Sequence, residues 1–184
     1  SCDLVAIRGD VQERFRKALK ARLPGFDVRK AFLNATHTHT APVMIERWYA
    51  DDISAHKDVM RGREYVEFLV GRLADVAAKA WESREAGAVS WTYGFAVVGR
   101  NRRVVYADGR ARMYGPTNRR DFRSIEGYED HGLNVLFCWD ADRRLTGMVV
   151  NLACPSQVSE HLCLISADFW HETREEIRSR HGQD

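Results

Sequence analysis

A short apolar run, Ala31-Phe32-Leu33-Asn34-Ala35, leads directly into Thr36-His37-Thr38-His39-Thr40-Ala41-Pro42. This junction constrains the chain more than any other stretch. The apolar run reads as a buried strand, and Pro42 ends it. On a strand, side chains i and i+2 share a face, so His37 and His39 can reach one point in space at the strand end. Neutral imidazole is the commonest protein ligand for zinc and related metals. The alternative at this point is a threonine-rich surface loop, tied down by hydroxyl hydrogen bonds, that carries two solvated histidines.

The flanking pattern places this junction in an α/β fold. Ser1 to Ile7 reads as a first strand, entered midway and without an initiator methionine. Gly9-Asp10 then opens a helix with apolar residues at Val11, Phe15, Ala18, Leu19 and Leu23, which Pro24-Gly25 stops. Strand, helix and strand in this order predict a parallel pair. An irregular stretch from Val43 to His56, with Trp48, Tyr49, Asp51 and Asp52, either borders a pocket or packs on its own aromatics. The longest helix is predicted from Lys57 to about Arg84, with an apolar stripe through Val59, Val66, Leu69, Leu73, Val76, Ala77 and Ala80.

The period then changes to two. Val89, Trp91, Tyr93, Phe95 and Val97 alternate with small or polar residues, and Val104-Val105-Tyr106 resumes after a break at Gly99 to Arg103. Asp108 to Glu129, rich in Arg, Gly and Asp, reads as a surface excursion. Leu133, Val135 and Phe137 alternate again. Asp140 to Arg144 reads as a hairpin turn, and Met148 to Leu152 as the returning strand. Cys163-Leu164-Ile165 is expected to form a short strand, and Asp168 to cap a last helix. The class is α/β, a mixed sheet with flanking helices, over residues 1–184 as a single portion of a catalytic domain truncated at both ends.

Composition removes several function classes. The 184 residues carry a formal charge of +2, with 45% hydrophobic and 29% charged residues, as in a globular domain with its own core. The basic residues are interleaved with acids, so no nucleic-acid footprint forms, and no apolar run has membrane-spanning length. The four cysteines, Cys2, Cys138, Cys154 and Cys163, form no Cys-x-x-Cys pair and leave the redox compartment open.

Three further segments carry unusual polar groups at strand ends. In Asn101-Arg102-Arg103, an arginine either forks onto a carboxylate or oxyanion or belongs to a solvated basic turn. Asn151 to Gln157 puts the thiol of Cys154, the hydroxyl of Ser156 and the amide of Gln157 in one loop. In Ile165-Ser166-Ala167-Asp168-Phe169-Trp170-His171, Asp168 either caps the helix or serves a site, and His171 lies in the helix's first turn.

The order of these blocks resembles the N-terminal catalytic domain of the neutral (non-lysosomal) ceramidase family. Ser1-Cys2-Asp3-Leu4 is similar to the family's first strand. Asn34 to Pro42 resembles its Ser-(Ala/Ser)-Thr-His-Thr-His-Ser-Gly-Pro motif, Asn101-Arg102 its Asn-Arg, Gly147 to Cys154 its strand leading to a second metal histidine, and Ile165-Ser166-Ala167-Asp168 its Ile-Ser-(Ala/Gly)-Asp. The resemblance implies zinc-dependent hydrolysis of an amide, with a small-molecule or lipid N-acyl substrate and a secreted or periplasmic setting. It implies that His37 ligates zinc, that His39 stands beside metal and substrate, and that Arg102 contacts the substrate's polar head or the oxyanion.

Pro155 stands where the family has a zinc-ligating histidine. Cys154, Gln157, His161 and His171 are the candidate replacements, His171 first because imidazole replaces imidazole. The family's carboxylate and tyrosine ligands are expected beyond Asp184, so this piece is expected to be inactive by itself. Two other functions compete: a non-catalytic binding or structural domain that kept the fold and lost the metal, and a hydrolase with Cys154 as nucleophile.

Overall fold

The computed structural model describes residues 1–46 and 56–182. Trp48, Tyr49, Asp51 and Asp52 lie outside them. The chain divides into two compact units, Ser1–Glu85 with Ser156–Asp184, and Ala86–Pro155. It is an α/β protein, and its named sheets are both antiparallel.

The first unit is built on two packed helices. Helix α1 (Gly9–Arg22) buries Val11, Phe15 and Leu19, one residue per i+4 step along one stripe. Helix α2 (Gly62–Glu82) buries Val66, Val70, Ala74 and Ala78 on the same step. It starts five residues later than expected. The Glu64 carboxylate accepts the Arg61 N–H at 2.8 Å, which fixes the start of the helix. The buried stripe therefore differs from the expected one: Leu69, Leu73 and Ala77 flank the core, while Val76 and Val59 face solvent. Small Ala74 and Ala78 admit Phe15 and Leu19 of α1 into a core shared with Cys2, Leu4 and Leu33.

The expected parallel pair is present as a single bridge, Cys2 to Ala35, rather than as two full strands. Cys2 N–H donates to Asn34 O (2.9 Å), and Thr36 and His37 N–H donate to Cys2 O and Leu4 O (3.0 Å each). Only Leu33 of the apolar run is fully buried, and Phe32 faces outward. Helix α3 (Trp170–His181) closes the unit, and Gly182 in the left-handed region ends it.

The second unit consists of two three-stranded sheets. In the first, β1 (Gly87–Phe95), β5 (Gly132–Asp140) and β6 (Leu145–Leu152) lie in the order β1-β5-β6. The predicted hairpin is there, turning through Asp140 to Arg144, where the Asp140 carboxylate accepts the N–H groups of Asp142 and Arg144. Gly99 permits a close pass of chain: a Cβ there would sit 2.8 Å from Ala153 O. In the second sheet, β3 (Ala111–Met113) and β4 (Phe122–Ile125) flank β2 (Arg103–Tyr106). These two strands fall inside the stretch expected to be an excursion; at three and four residues they are too short to show a period. Cys163-Leu164-Ile165 forms no strand, and all three residues are exposed.

Candidate functional site

The Thr36 to Thr40 segment alternates cleanly. Thr38 and Thr40 are buried, while His37 and His39 lie on the outer side. The two rings meet edge to face with centroids 4.9 Å apart, and their Nε2 atoms stand 3.3 Å apart. The route to this geometry is not a plain strand. His37 adopts a left-handed backbone, φ +66°, a conformation that non-glycine residues keep only where the surroundings impose it.

Those surroundings are identifiable. The His37 N–H bonds to Leu4 O, and its ring Nδ1 lies 2.7 Å from Val5 O. A carbonyl oxygen only accepts, so Nδ1 carries the proton and Nε2 presents a lone pair. A ring N–H held by a backbone carbonyl is the arrangement that orients a metal-ligating imidazole. One residue earlier, Thr36 O accepts from the fully buried Ser156 hydroxyl (2.8 Å), and the Thr36 hydroxyl donates to Asp3 (3.2 Å). Asp3 is gripped by both guanidinium nitrogens of Arg174 at 2.8 Å. This hydrogen-bonded pairing, against the opposing effect of burial, holds the Asp3 carboxyl below its ordinary pKa.

His39 has polar neighbours on the other side. Gln157 donates from its amide to Glu160 (3.1 Å) and to His39 Nε2 (2.8 Å), and the Glu160 carboxylate lies 3.3 Å from His39 Nδ1. The two Nε2 atoms stand at a separation close to the edge of a tetrahedral zinc site, about 3.3–3.4 Å for Zn–N bonds of 2.0–2.1 Å, and a metal there would replace Gln157 at His39 Nε2. The pair fits two positions of a zinc shell. It does not complete one: among the described residues no group of three or more His, Cys, Asp and Glu side chains gathers to hold a metal.

The remaining sequence candidates fall in several places. Asp168 is buried in the first unit, φ +55°, and caps no N2 or N3 amide. Its carboxylate accepts from Ser159 Oγ (2.6 Å) and from the N–H groups of Ser159 (2.7 Å), Phe169 (2.8 Å) and Val158 (3.2 Å). Burial opposes its charge, but these donors outweigh burial and bring its pKa below the ordinary value. His171 sits exposed in the first turn of α3, its N–H bonded to Asp168 O, and His161 is exposed in a turn. Arg102 and Cys154 belong to the second unit. The Arg102 guanidinium lies 5.1 Å from the Tyr114 ring centre and bonds to its hydroxyl. Cys154 is half-buried, its Sγ 3.6 Å from Pro155 O.

Sequence reasoning missed Glu160, Ser159 and the structural part of Ser166. None stands in a periodic pattern, and their partners lie far away in the chain. Glu160 at the end of a Gln-x-x-Glu step carries the nearest thing to a local signal.

No protein-family model matches this chain, and no curated protein matches it. Among solved structures, the fold is similar to the crystal structure of neutral ceramidase from Pseudomonas aeruginosa, with a TM-score of 0.57 and 21% identity over 90% of this chain. The chain spans 25% of that protein. The likeness is one of fold, and it covers both units of the chain.

Proposed function

We propose that this chain carries part of the active site of a zinc-dependent amide hydrolase of the ceramidase type, acting on an N-acyl substrate such as a lipid amide. The convergence of the His37 and His39 Nε2 atoms at 3.3 Å, with His37 Nδ1 held by Val5 O, is the observation that supports this reading. His37 and His39 would hold the metal, with His171 as the further imidazole candidate. Zinc in such a site lowers the pKa of bound water and polarises the scissile carbonyl.

The chain's own part is orientation. Val5 O keeps His37 in the tautomer whose Nε2 is open. Glu160, beside His39 Nδ1, would orient the His39 ring, which would trade its Gln157 hydrogen bond for the metal at Nε2. Arg102 is proposed for the substrate's polar head or the developing oxyanion, where a planar fork outperforms a point charge. Pro155 and the missing third ligand among the described residues favour the competing reading, a domain that kept the fold and lost the metal.

Zinc titration of the 184-residue chain, followed by calorimetry, separates the two. One zinc per chain, bound at least tenfold more weakly by His37→Ala, is expected. Equal binding by the wild type and by the His37→Ala/His39→Ala double variant overturns the proposal in favour of the metal-free domain.

A further inference from the structure

Behind the two histidines runs an unbroken line of hydroxyl groups. Thr38 Oγ1 and Thr40 Oγ1 are 3.0 Å apart; Thr40 Oγ1 lies 2.8 Å from Ser166 Oγ; Ser166 Oγ lies 3.3 Å from Ser159 Oγ; and Ser159 Oγ donates to Asp168 at 2.6 Å. Thr38 is fully buried, and Thr40 and Asp168 are nearly so. An ionised carboxylate only accepts, and each hydroxyl has one proton. The Ser159 proton therefore points at Asp168 and the Ser166 proton at Ser159, while the Thr38 and Thr40 hydroxyls both also face the Ser166 carbonyl (3.1 and 3.2 Å). The two bonds that run from Ser166 through Ser159 to Asp168 polarise in the same sense. The main chain doubles the link, since Ser166 N–H donates to Thr40 O at 2.9 Å and Asp168 N–H to Ser166 Oγ at 3.1 Å.

Thr38 and Thr40 flank His39 on both sides in the chain, and their inward anchoring is what turns its ring outward. The line ends on Asp168, itself in left-handed backbone, and begins at Thr38, the residue after left-handed His37. Such conformations persist where neighbours over-determine them. The Thr40 hydroxyl also reaches Ser166 O (3.2 Å), and the Ser166 hydroxyl also accepts the Asp168 N–H (3.1 Å), so removing either hydroxyl leaves buried polar partners unsatisfied.

We infer that Asp168, Ser159, Ser166 and Thr40 are positioning residues, which hold the His39 ring against the His37 ring from behind through a hydrogen-bonded hydroxyl relay. The inference deepens the proposed metal-hydrolase reading and rests on it only for the consequence to zinc; the ring geometry itself needs no metal. Loss of the relay lets His39 turn away, so the two-nitrogen edge opens.

The test uses the 184-residue chain and three variants: Thr40→Val, which keeps the shape and removes the hydroxyl; Thr40→Ser, which restores it; and Ser166→Ala, which cuts the line one step further on. Val66→Ala, in α2 and remote from the relay, controls for general destabilisation. The first readout is metal-free, the NMR cross-peak between the His37 and His39 ring protons. It is expected in the wild type, in Val66→Ala and in Thr40→Ser, and expected to be lost in Thr40→Val and Ser166→Ala. The second is zinc affinity, expected to fall about tenfold in Thr40→Val and to recover in Thr40→Ser, the size of effect seen when a ligand's outer partner is removed. A retained cross-peak in both Thr40→Val and Ser166→Ala overturns the relay. If Thr40→Val does not fold, Ser166→Ala alone decides on the same cross-peak. A wild type that binds no zinc but shows the cross-peak, lost on cutting the line, sinks the metal reading and leaves the positioning role standing.

Discussion

The two units hold themselves together by different means. In the first, two helices and the opening segment share a dry core: Phe15, Leu19 and Leu33 pack against Cys2, Leu4, Ala74 and Ala78. In the second, the buried apolar side chains among the described residues are Val104 and Tyr106, and the order comes from main-chain ladders. The histidine pair sits on the unit with the packed core. Close packing transmits position, so a left-handed histidine and a line of hydroxyls can be held in place there. A ladder fixes backbone register and leaves side chains on an open face to solvent.

The largest effect expected from this difference is in the first unit's core. Phe15→Ala removes a ring that is 3% exposed and leaves a cavity between α1 and α2. The cost should be ~3–5 kcal/mol. Denaturant unfolding followed by tryptophan fluorescence measures it. A loss below about 1 kcal/mol would mean that the core is not what orders this unit.

How much of this was legible from the chain depends on the range of the signal. The helices were readable because Val11, Phe15 and Leu19, or Val66 and Ala77, repeat within a few turns. The β5–β6 hairpin was readable because its alternation and its Asp140 turn are contiguous. The histidine pair was readable for a reason only partly correct: alternation does place both rings outward, but the left-handed His37 and its bond to Val5 fix the orientation of its ring. Strands β3 and β4 were not readable because three or four residues show no period, and Cys163 to Ile165 misled because an apolar run without a pairing partner is no strand. The hydroxyl relay was out of reach. Thr40 and Ser166 are 126 residues apart, and a single sequence says nothing about which serine meets which threonine.

An intermediate effect concerns the two carboxylates that brace the first unit. Asp3 is held down first by its bond to Arg174, and Asp168 by the donors from Ser159, Val158 and Phe169. Both folded-state pKa values lie below the ordinary 3.8, so the unfolded chain binds these protons more readily. Their contribution is fully present above the unfolded value and is lost as pH falls through the folded ones. Asp3 and Arg174 are both about one-third exposed, so the pair contributes only about 1 kcal/mol after solvent screening. Between pH 7 and 5 the urea midpoint should stay flat on account of these groups, then fall below pH 4. In Asp3→Asn the acid-side fall should be shallower, from a lower starting stability. An unchanged slope in that variant would remove Asp3 from the account.

The smallest effect tests the open face of the second unit. Strand β1 points Val89, Trp91, Tyr93 and Phe95 to one side, and Trp91 and Phe95 are more than three-quarters exposed. Across the same sheet, Phe137 is half-buried on the opposite side, opposite Ser90, whose hydroxyl accepts from Trp139. If exposure governs, Trp91→Ser should change stability by no more than about 0.5 kcal/mol, as ordinary surface substitutions do. Phe137→Ala should cost about 2 kcal/mol, less than a fully buried ring because part of its area already meets water. Equal costs at the two positions would contradict the ladder-only picture, since an indole that stabilises as much as a half-buried phenyl must be covered in solution. Sedimentation of the 184-residue chain at rising concentration then identifies the cover: a dimer that dissociates in Trp91→Ser places a second copy on this face, and a concentration-independent monomer places the indole against its own chain.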